Sequence, residues 1–462
     1  MPSIDRWTRR SFVAAGLCLG ACTRLEKPPL GALYRPTQEH LDQPPLIVIP
    51  GAFGSSLRDH RTGRELWPGS TRMLLTSSYR GLELDIDPAT LEPLADDVEA
   101  YDVFAEGLGQ DFYGRVLRTL ERAGGYSRCR ARERPRTDRR NFYVYAYDFR
   151  LDNLRAVQGL HRLIEQIRAD YGDPGLRVDV LAHSNGGLLA RYYARYGTEP
   201  LPESGPFRPT GAGADNIRRL LLVGTPNLGT IQPVLSHLRG EEVGLNRIPQ
   251  DVIATCTGAA EMMPHPAVPW LIDVHGRTLD DDLYDIETWR RLGWSVFDPR
   301  VADRAAAQHG GGAAGRSYVA MLREYVAKHL RHGRRFIESL AVPAAGAEPP
   351  LMVFGGDCEL TLARILVEEI EGRFVGRERV EDIARPVSGV DYEALMCEPG
   401  DLVVTRSSLL GRRTLNVAAP RAEIESLTIA NTVFLCEEHR HLTGNPSFQD
   451  NLLNALLSID VA

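Results

Sequence analysis

The chain has 462 residues, of which 43% are hydrophobic and 25% are charged, and its formal net charge is -7. This length and composition are typical of a globular protein with a large core. The acidic balance argues against nucleic acid as a partner, and no run of about 18 uncharged apolar residues indicates a transmembrane helix.

The first 21 residues have the pattern of an export signal. Arg9 and Arg10 precede a short apolar run, 12–21, that is too short to span a bilayer. The pattern resembles a twin-arginine signal, and the run 19–22 resembles a bacterial lipoprotein box. We therefore predict export across the bacterial inner membrane, with Cys22 as the lipidated first residue of a lipoprotein on the periplasmic or outer-membrane face. Secretion without an anchor is the alternative.

The segment 22–44 contains closely spaced prolines, which predict an extended tether in front of one catalytic domain, 45–462. An exported chain can carry disulfides, but an odd number of cysteines leaves at least one unpaired or in another pairing. We expect Cys436 to be a small buried residue. The cysteines after the lipoprotein box are Cys129, Cys256, Cys358, Cys397 and Cys436.

Strand-like and helix-like runs alternate along the body of the chain. This alternation predicts an α/β fold with a mostly parallel central sheet and helices on both faces. Apolar residues at spacings of three and four between positions 154 and 167 predict a helix that packs on the sheet. The apolar runs that predict strands are 46–50, 142–147, 177–182, 220–224 and 351–354.

The first predicted strand ends in a turn rich in glycine, at positions 49–57. Glycines allow the backbone of such a turn to approach a bound ester closely. A backbone amide in this place can stabilise the negative charge that develops on an ester oxygen. We therefore predict that the amide of Ala52 contributes to an oxyanion hole.

Ser184 follows the third apolar run and precedes a helix-like run, 187–193. The small residues Ala182 and Gly186 permit the sharp strand-to-helix turn that exposes a nucleophilic serine. Such a serine lies at the carboxyl edge of a central strand, where open α/β sheets bind ligands. We predict Ser184 as the nucleophile and the amide of Asn185, at the positive end of the helix dipole, as a second oxyanion donor.

Two later segments contain candidates for a base and an acid. The run 434–442 places His439 and His441 between a predicted strand and a final helix, 448–457. Asp401 lies earlier, in a turn that leads into an apolar run, and can orient an imidazole. The order serine, aspartate, histidine is the order that such sheets require. Asp357, directly after a predicted strand, is a competing acid.

The long segment 231–350 lies between the turn at Ser184 and the segments that contain Asp401 and His439. It is too long for a loop and is rich in Trp, Tyr and Leu, and we therefore predict an inserted cap, or lid. Apolar residues in this segment either line an acyl channel or form the core of the cap itself.

Six segments in this order together resemble the lecithin:cholesterol acyltransferase family of α/β-hydrolases, from about residue 45 to the C-terminus. The resemblance implies the α/β-hydrolase fold. It also implies an enzyme that takes an acyl group from a glycerolipid onto its serine and passes it to an alcohol or to water. The segments are 50–55, 147–150, 182–187, 224–229, 400–407 and 438–439.

Carried over to this chain, the resemblance makes Ser184 the nucleophile, Asp401 the acid and His439 the base. His439 is preferred to His441 because family members usually have an apolar residue three positions after the catalytic histidine, here Leu442. An asparagine further along, here at position 445, agrees with this choice.

Chain order and the resemblance of the segment around Asp401 favour Asp401 over Asp357 as the acid. Family members often have the run Gly-Asp-Gly-Thr-Val around this aspartate. This chain has Leu402 and Val403 after the aspartate instead of glycine and threonine.

The sequence thus predicts a serine-dependent acyltransferase or acyl hydrolase that acts on phospholipids or acylglycerols at a membrane surface, with no metal and no organic cofactor. One alternative is a carboxylesterase or triacylglycerol lipase with water as its only acceptor. Another is a lipoprotein that binds lipid without catalysis.

Overall fold

A computed structural model describes residues 28–39, 43–107, 110–344, 346–412 and 427–457. The predicted export signal and Cys22 lie outside these residues.

The centre of the molecule is a sheet of seven strands in which every neighbouring pair is parallel. Its strand order is β7-β6-β5-β4-β1-β3-β2. The predicted α/β class with a mostly parallel sheet is therefore confirmed. The strands are β1 (Leu46–Ile49), β2 (Tyr126–Arg128), β3 (Arg140–Val144), β4 (Val178–His183), β5 (Ile217–Val223), β6 (Leu351–Gly356) and β7 (Asn431–Leu435).

Both faces of the sheet are buried, and this explains why its strands appear as continuous apolar runs. In β1, Leu46 and Val48 pack into one core, while Ile47 and Ile49 pack into the other. None of the four is more than 2% exposed.

Helices cover the two faces. The pair α1 (Gly114–Arg122) and α5 (Pro446–Leu457) packs with Leu46 and Val48, whereas α2 (Asn153–Tyr171) and α3 (Asn185–Tyr196) pack on the opposite face. The helix predicted between 154 and 167 is α2, capped at its start by the Asp152 side chain and ended by Gly172 in a left-handed conformation. A longer helix, α4, spans Gly312–Ala341. Further α-helices span Leu30–Leu33, Thr71–Thr76, Gln232–Arg239, Gln250–Ile253, Ile286–Leu292, Pro299–Gln308, Tyr392–Met396 and Arg406–Leu409.

The segment predicted as a cap is mainly helical and ends in α4. It has its own apolar core, in which Trp289 and Leu322 are fully buried. Its strand Leu271–Asp273 pairs in parallel with Ile365–Ile370, which pairs in turn with Arg373–Arg377. Two strands from the region after β6 therefore join a strand of this segment, outside the predicted bounds 231–350.

Part of the predicted tether is packed on the domain. A short helix, Leu30–Leu33, and a 3₁₀ helix, Arg35–Glu39, replace the extended chain that we expected. Tyr34 donates a hydrogen bond of 2.8 Å to the carbonyl oxygen of Asp450 in α5. Leu30 and Tyr34 also contact the core beneath α5, and this apolar contact explains why the segment folds onto the domain.

Within the described residues, no helix combines the length and the apolar character that crossing a membrane requires.

Candidate active site

The serine predicted as a nucleophile lies in a sharp turn between β4 and α3. Ser184 has φ 53° and ψ -126°, a conformation that costs a residue with a side chain about 1–3 kcal/mol. Its backbone N–H donates to the carbonyl oxygen of Val223 in β5 at 2.8 Å. The neighbouring strand thus holds the turn in a conformation that presents the hydroxyl at the carboxyl edge of the sheet.

Two glycines allow the chain to pack closely around this turn. A Cβ atom on Gly186 would lie 2.4 Å from the carbonyl oxygen of Pro50, so glycine lets α3 begin directly against the end of β1. A Cβ atom on Gly51 would lie 2.6 Å from the Cβ of Ser184. The glycine-rich turn after β1 therefore lies in contact with Ser184, as a site built from both segments requires.

The structure brings Ser184, His439 and Asp401 into one chain of hydrogen bonds. The Nε2 atom of His439 lies 3.0 Å from the Ser184 Oγ, and its Nδ1 atom lies 2.9 Å from the Asp401 Oδ2. A carboxylate can only accept, so Nδ1 carries the proton and Nε2 is left to accept the serine proton. A hydroxyl, an imidazole and a carboxylate held in this way can act as a nucleophile, a base and an orienting acid.

The Asp401 carboxylate is held by its own loop. Its Oδ1 atom accepts hydrogen bonds from the backbone N–H groups of Val403, at 3.1 Å, and Val404, at 2.7 Å. The backbone carbonyl oxygen of Asp401 accepts a hydrogen bond from the backbone N–H of His439 at 2.9 Å. Asp401 is only 1% exposed, so the two bonds to Oδ1 replace water that the carboxylate has lost.

Leu402 has a left-handed backbone, a conformation that favours glycine. Its φ is 74°, in the left-handed region, which costs a residue other than glycine about 1–2 kcal/mol. The N–H of Leu402 donates to the Thr361 hydroxyl at 2.9 Å, which helps to hold this conformation. The loop around Asp401 thus contains a turn of the type that favours glycine, with leucine at that position.

The competing acid and the competing base lie elsewhere. The carboxylate of Asp357 contacts the Arg406 guanidinium at 3.5 Å. The His441 ring is half exposed, and its Nδ1 atom lies 3.8 Å from the Glu438 carboxylate. The structure therefore brings Asp401 and His439, and neither competitor, to the serine.

The amides of Ala52 and Asn185 lie in the two segments that flank Ser184. Asn185 is the first residue of α3, and N–H groups at a helix start have no acceptor within the helix. The Asn185 side chain is engaged elsewhere, in reciprocal hydrogen bonds with Asn153 at 2.9 and 3.0 Å. Ala52 follows Gly51, which contacts the serine.

Aromatic residues hold the turn after β1. Phe53 has φ 58°, and its carbonyl oxygen accepts a hydrogen bond of 2.8 Å from the indole N–H of Trp67. The rings of Trp67 and Phe149 lie 5.3 and 4.7 Å from the Phe53 ring. These contacts fix the backbone directly after Ala52.

A disulfide joins the ends of β6 and β7, where Cys358 and Cys436 have Cα atoms 5.1 Å apart. Our expectation of a small buried Cys436 is wrong, since both cysteines are exposed. Adjacent parallel strands end side by side, and this pairing places two residues 78 positions apart within bonding distance. Spacing along the sequence carries no signal for this contact. In the described part of the chain Cys129, Cys256 and Cys397 are free.

Two further polar residues close to the serine, Tyr113 and His183, carry little signal in the sequence. Tyr113 lies at the start of α1 and has no motif around it. His183 directly precedes Ser184, and this position was the only available signal. Across the described ranges, no three His, Cys, Asp or Glu side chains are grouped so as to hold a metal ion.

Comparison with known proteins finds similarity at the level of structure. No protein-family model and no curated protein matches the chain. The solved structure of the Tle4-Tli4 complex contains a chain with 16% identity and a TM-score of 0.52, and the match covers 90% of this chain and 98% of that one. This chain has the α/β-hydrolase fold.

Two lipase and esterase structures match over similar lengths with lower scores. The mature Bacillus licheniformis lipase BlEst2 is 12% identical with a TM-score of 0.31, and the match covers 91% of this chain and 96% of that one. EstA from Clostridium botulinum is 13% identical with a TM-score of 0.34, with 91% and 88% covered. The resemblance to the lecithin:cholesterol acyltransferase family stays a prediction.

Proposed function

We propose that this hydrolase-fold protein is a serine acyl hydrolase or acyltransferase that acts on lipid esters through an acyl-enzyme on Ser184. The observation that carries the proposal is the continuous chain of hydrogen bonds from Ser184 through His439 to Asp401. A strained serine turn at the carboxyl edge of the sheet supports the same conclusion.

In the proposed reaction, the Ser184 Oγ attacks the ester carbonyl carbon while His439 Nε2 takes the hydroxyl proton. Asp401 stabilises the resulting imidazolium, and the amides of Ala52 and Asn185 stabilise the oxyanion. The bond to the leaving alcohol then breaks, and His439 returns the proton to the alcohol oxygen. Water or an acceptor alcohol attacks the acyl-enzyme by the same steps in reverse order.

The proposed class of acyl donor and acceptor rests on the resemblance to the lecithin:cholesterol acyltransferase family. It favours a phospholipid or an acylglycerol as the acyl donor and an alcohol as an acceptor besides water. A carboxylesterase or triacylglycerol lipase would have the same serine chemistry with water alone as acceptor, because the acceptor depends on how far the cap excludes water.

We further propose that the protein is exported and held at a membrane surface by a lipid on Cys22. The exposed disulfide between Cys358 and Cys436 supports export, since disulfides persist in oxidising compartments and are rare in the cytosol. A lipid anchor would keep the active site close to its substrates.

The test compares wild type with Ser184→Ala and with Ser447→Ala, which replaces an exposed serine outside the site. One sample of each protein is labelled with a fluorophosphonate. A separate, unlabelled sample is incubated with vesicles of phosphatidylcholine and sterol, followed by mass analysis of the lipids. We expect label and products with wild type and Ser447→Ala, and neither with Ser184→Ala.

Sterol esters that depend on Ser184 would establish acyl transfer. Free fatty acid alone would establish hydrolysis and contradict transfer to sterol. An unlabelled wild type, or equal labelling of Ser184→Ala, would refute the serine enzyme and leave a lipid-binding protein.

A further inference from the structure

A short chain of hydrogen bonds connects the turn after β1 with the segment that carries His439. The backbone N–H of Gly51 donates to the Tyr113 Oη at 2.9 Å. The same Oη lies 2.7 Å from the Nδ1 atom of His183, and the Nε2 atom of His183 lies 3.2 Å from the carbonyl oxygen of His439. One hydroxyl and one imidazole thus link the two sides of the serine.

The acceptor at the far end fixes where the protons lie. A carbonyl oxygen only accepts, so the Nε2 atom of His183 carries its proton and Nδ1 accepts. The Tyr113 hydroxyl therefore donates to His183, and its oxygen remains free to accept from Gly51. A single arrangement of protons satisfies every member of the chain.

Neither side chain changes its charge at neutral pH. Burial and the neighbouring His439 lower the pKa of His183 to about 3. Burial also raises the pKa of Tyr113 above its ordinary value. His183 is thus neutral when His439, whose ring lies 4.9 Å away, takes up a proton in the proposed reaction. A neutral neighbour does not oppose that charge.

The two ends of the chain lie where small shifts affect catalysis. Gly51 precedes Ala52, the proposed oxyanion donor, and a Cβ on Gly51 would lie 2.6 Å from the Cβ of Ser184. At the other end, the backbone of His439 belongs to the proposed base. A displacement of about 1 Å at a reacting group can cost about 100-fold in rate.

We propose that Tyr113 is a positioning residue. Its hydroxyl holds the turn after β1 directly, through Gly51, and holds the backbone of the base through His183. This inference rests on the proposed function. Tyr113 does not itself contact the reacting atoms.

The first test is Tyr113→Phe, which removes the hydroxyl and keeps the ring. Tyr126→Phe is the matched control. Both rings belong to the same core, and the buried Tyr126 hydroxyl has no hydrogen-bond partner within the described residues. With a soluble ester, we expect Tyr113→Phe to lower kcat by about 10-fold to 100-fold with little change in KM, and Tyr126→Phe to change neither.

The second test uses His183, so that the inference does not depend on one variant. A glutamine at this position can accept from Tyr113 with its Oε1 atom and donate to the His439 carbonyl with its Nε2 atom. We therefore expect His183→Gln to retain most of kcat and His183→Leu to lose as much as Tyr113→Phe. The double variant Tyr113→Phe/His183→Leu should lose little more than either single variant, because both break the same chain.

Ser184→Ala separates the possible failures. If ester hydrolysis depends on Ser184 but Tyr113→Phe retains kcat, or if its loss and that of His183→Leu are additive, the positioning role is refuted and the proposed function stands. A rise in KM alone would also refute it. If hydrolysis by wild type does not depend on Ser184, the proposed function and this inference both fail.

Discussion

The disulfide between Cys358 and Cys436 ties the end of β6, which packs against Asp401, to the loop that carries His439. His439 follows Cys436 by three positions. On the other side, a Cβ on Gly356, two residues before Cys358, would lie 2.8 Å from the Cβ of Asp401. We predict that Cys358→Ser/Cys436→Ser lowers the free energy of unfolding substantially while the protein still folds.

The size of the effect follows from the length of chain that the bond closes. The two cysteines are 78 residues apart. For a loop of this length, the entropy that the bond removes from the unfolded chain corresponds to about 4.5 kcal/mol at 25 °C, within the range of about 2–5 kcal/mol seen when natural disulfides are removed. We expect a loss of about 4 kcal/mol.

Urea unfolding followed by tryptophan fluorescence measures this loss, since the chain contains five tryptophans. The urea concentration at the midpoint of unfolding should be lower for the double serine variant than for wild type. Dithiothreitol should lower the midpoint of wild type to that of the variant and should leave the midpoint of the variant unchanged. Cys397→Ser is the control, because Cys397 is free. A loss below about 1 kcal/mol, or an equal loss in Cys397→Ser, would show that the bond does not constrain the unfolded chain as argued.

Two further predictions concern buried carboxylates. Asp401→Asn should lower kcat by roughly 10⁴-fold, because an amide facing Nδ1 favours the wrong tautomer of His439. Asp357→Asn should change kcat little. Steady-state kinetics of both variants decide between the two acids, and a larger loss in Asp357→Asn would contradict the assignment. Burial raises the pKa of Glu261 from 4.5 to about 7, and Glu261 in turn contributes to a raised pKa of His332, 3.1 Å away. The folded state therefore binds more protons than the unfolded state, and this part of the stability is lost as pH rises from about 4.5 through 7. Thermal unfolding temperatures measured across this range should fall less steeply in Glu261→Gln than in wild type, and parallel curves would refute the reasoning.

Features that depend on neighbouring residues could be predicted from the sequence alone. Continuous apolar runs marked five strands of the sheet, and periodic apolar positions marked α2, because burial of both sheet faces and of one helix face leaves a local pattern. The turn at Ser184 was also visible, since the small residues around a sharp turn are close in sequence.

Contacts between distant parts of the chain were decided only by the tertiary structure. Asp357 follows β6, and Asp401 follows a short strand, Cys397–Gly400. The Nδ1 atom of His439 meets the Asp401 carboxylate, and the backbone of His439 is hydrogen-bonded to that of Asp401. The disulfide, the pairing of the strand Leu271–Asp273 with Ile365–Ile370, and the contact of Tyr113 with His183 likewise depend on which elements lie side by side. Spacing along a sequence does not encode such neighbours, because the energy that selects them comes from burial and pairing across the whole fold.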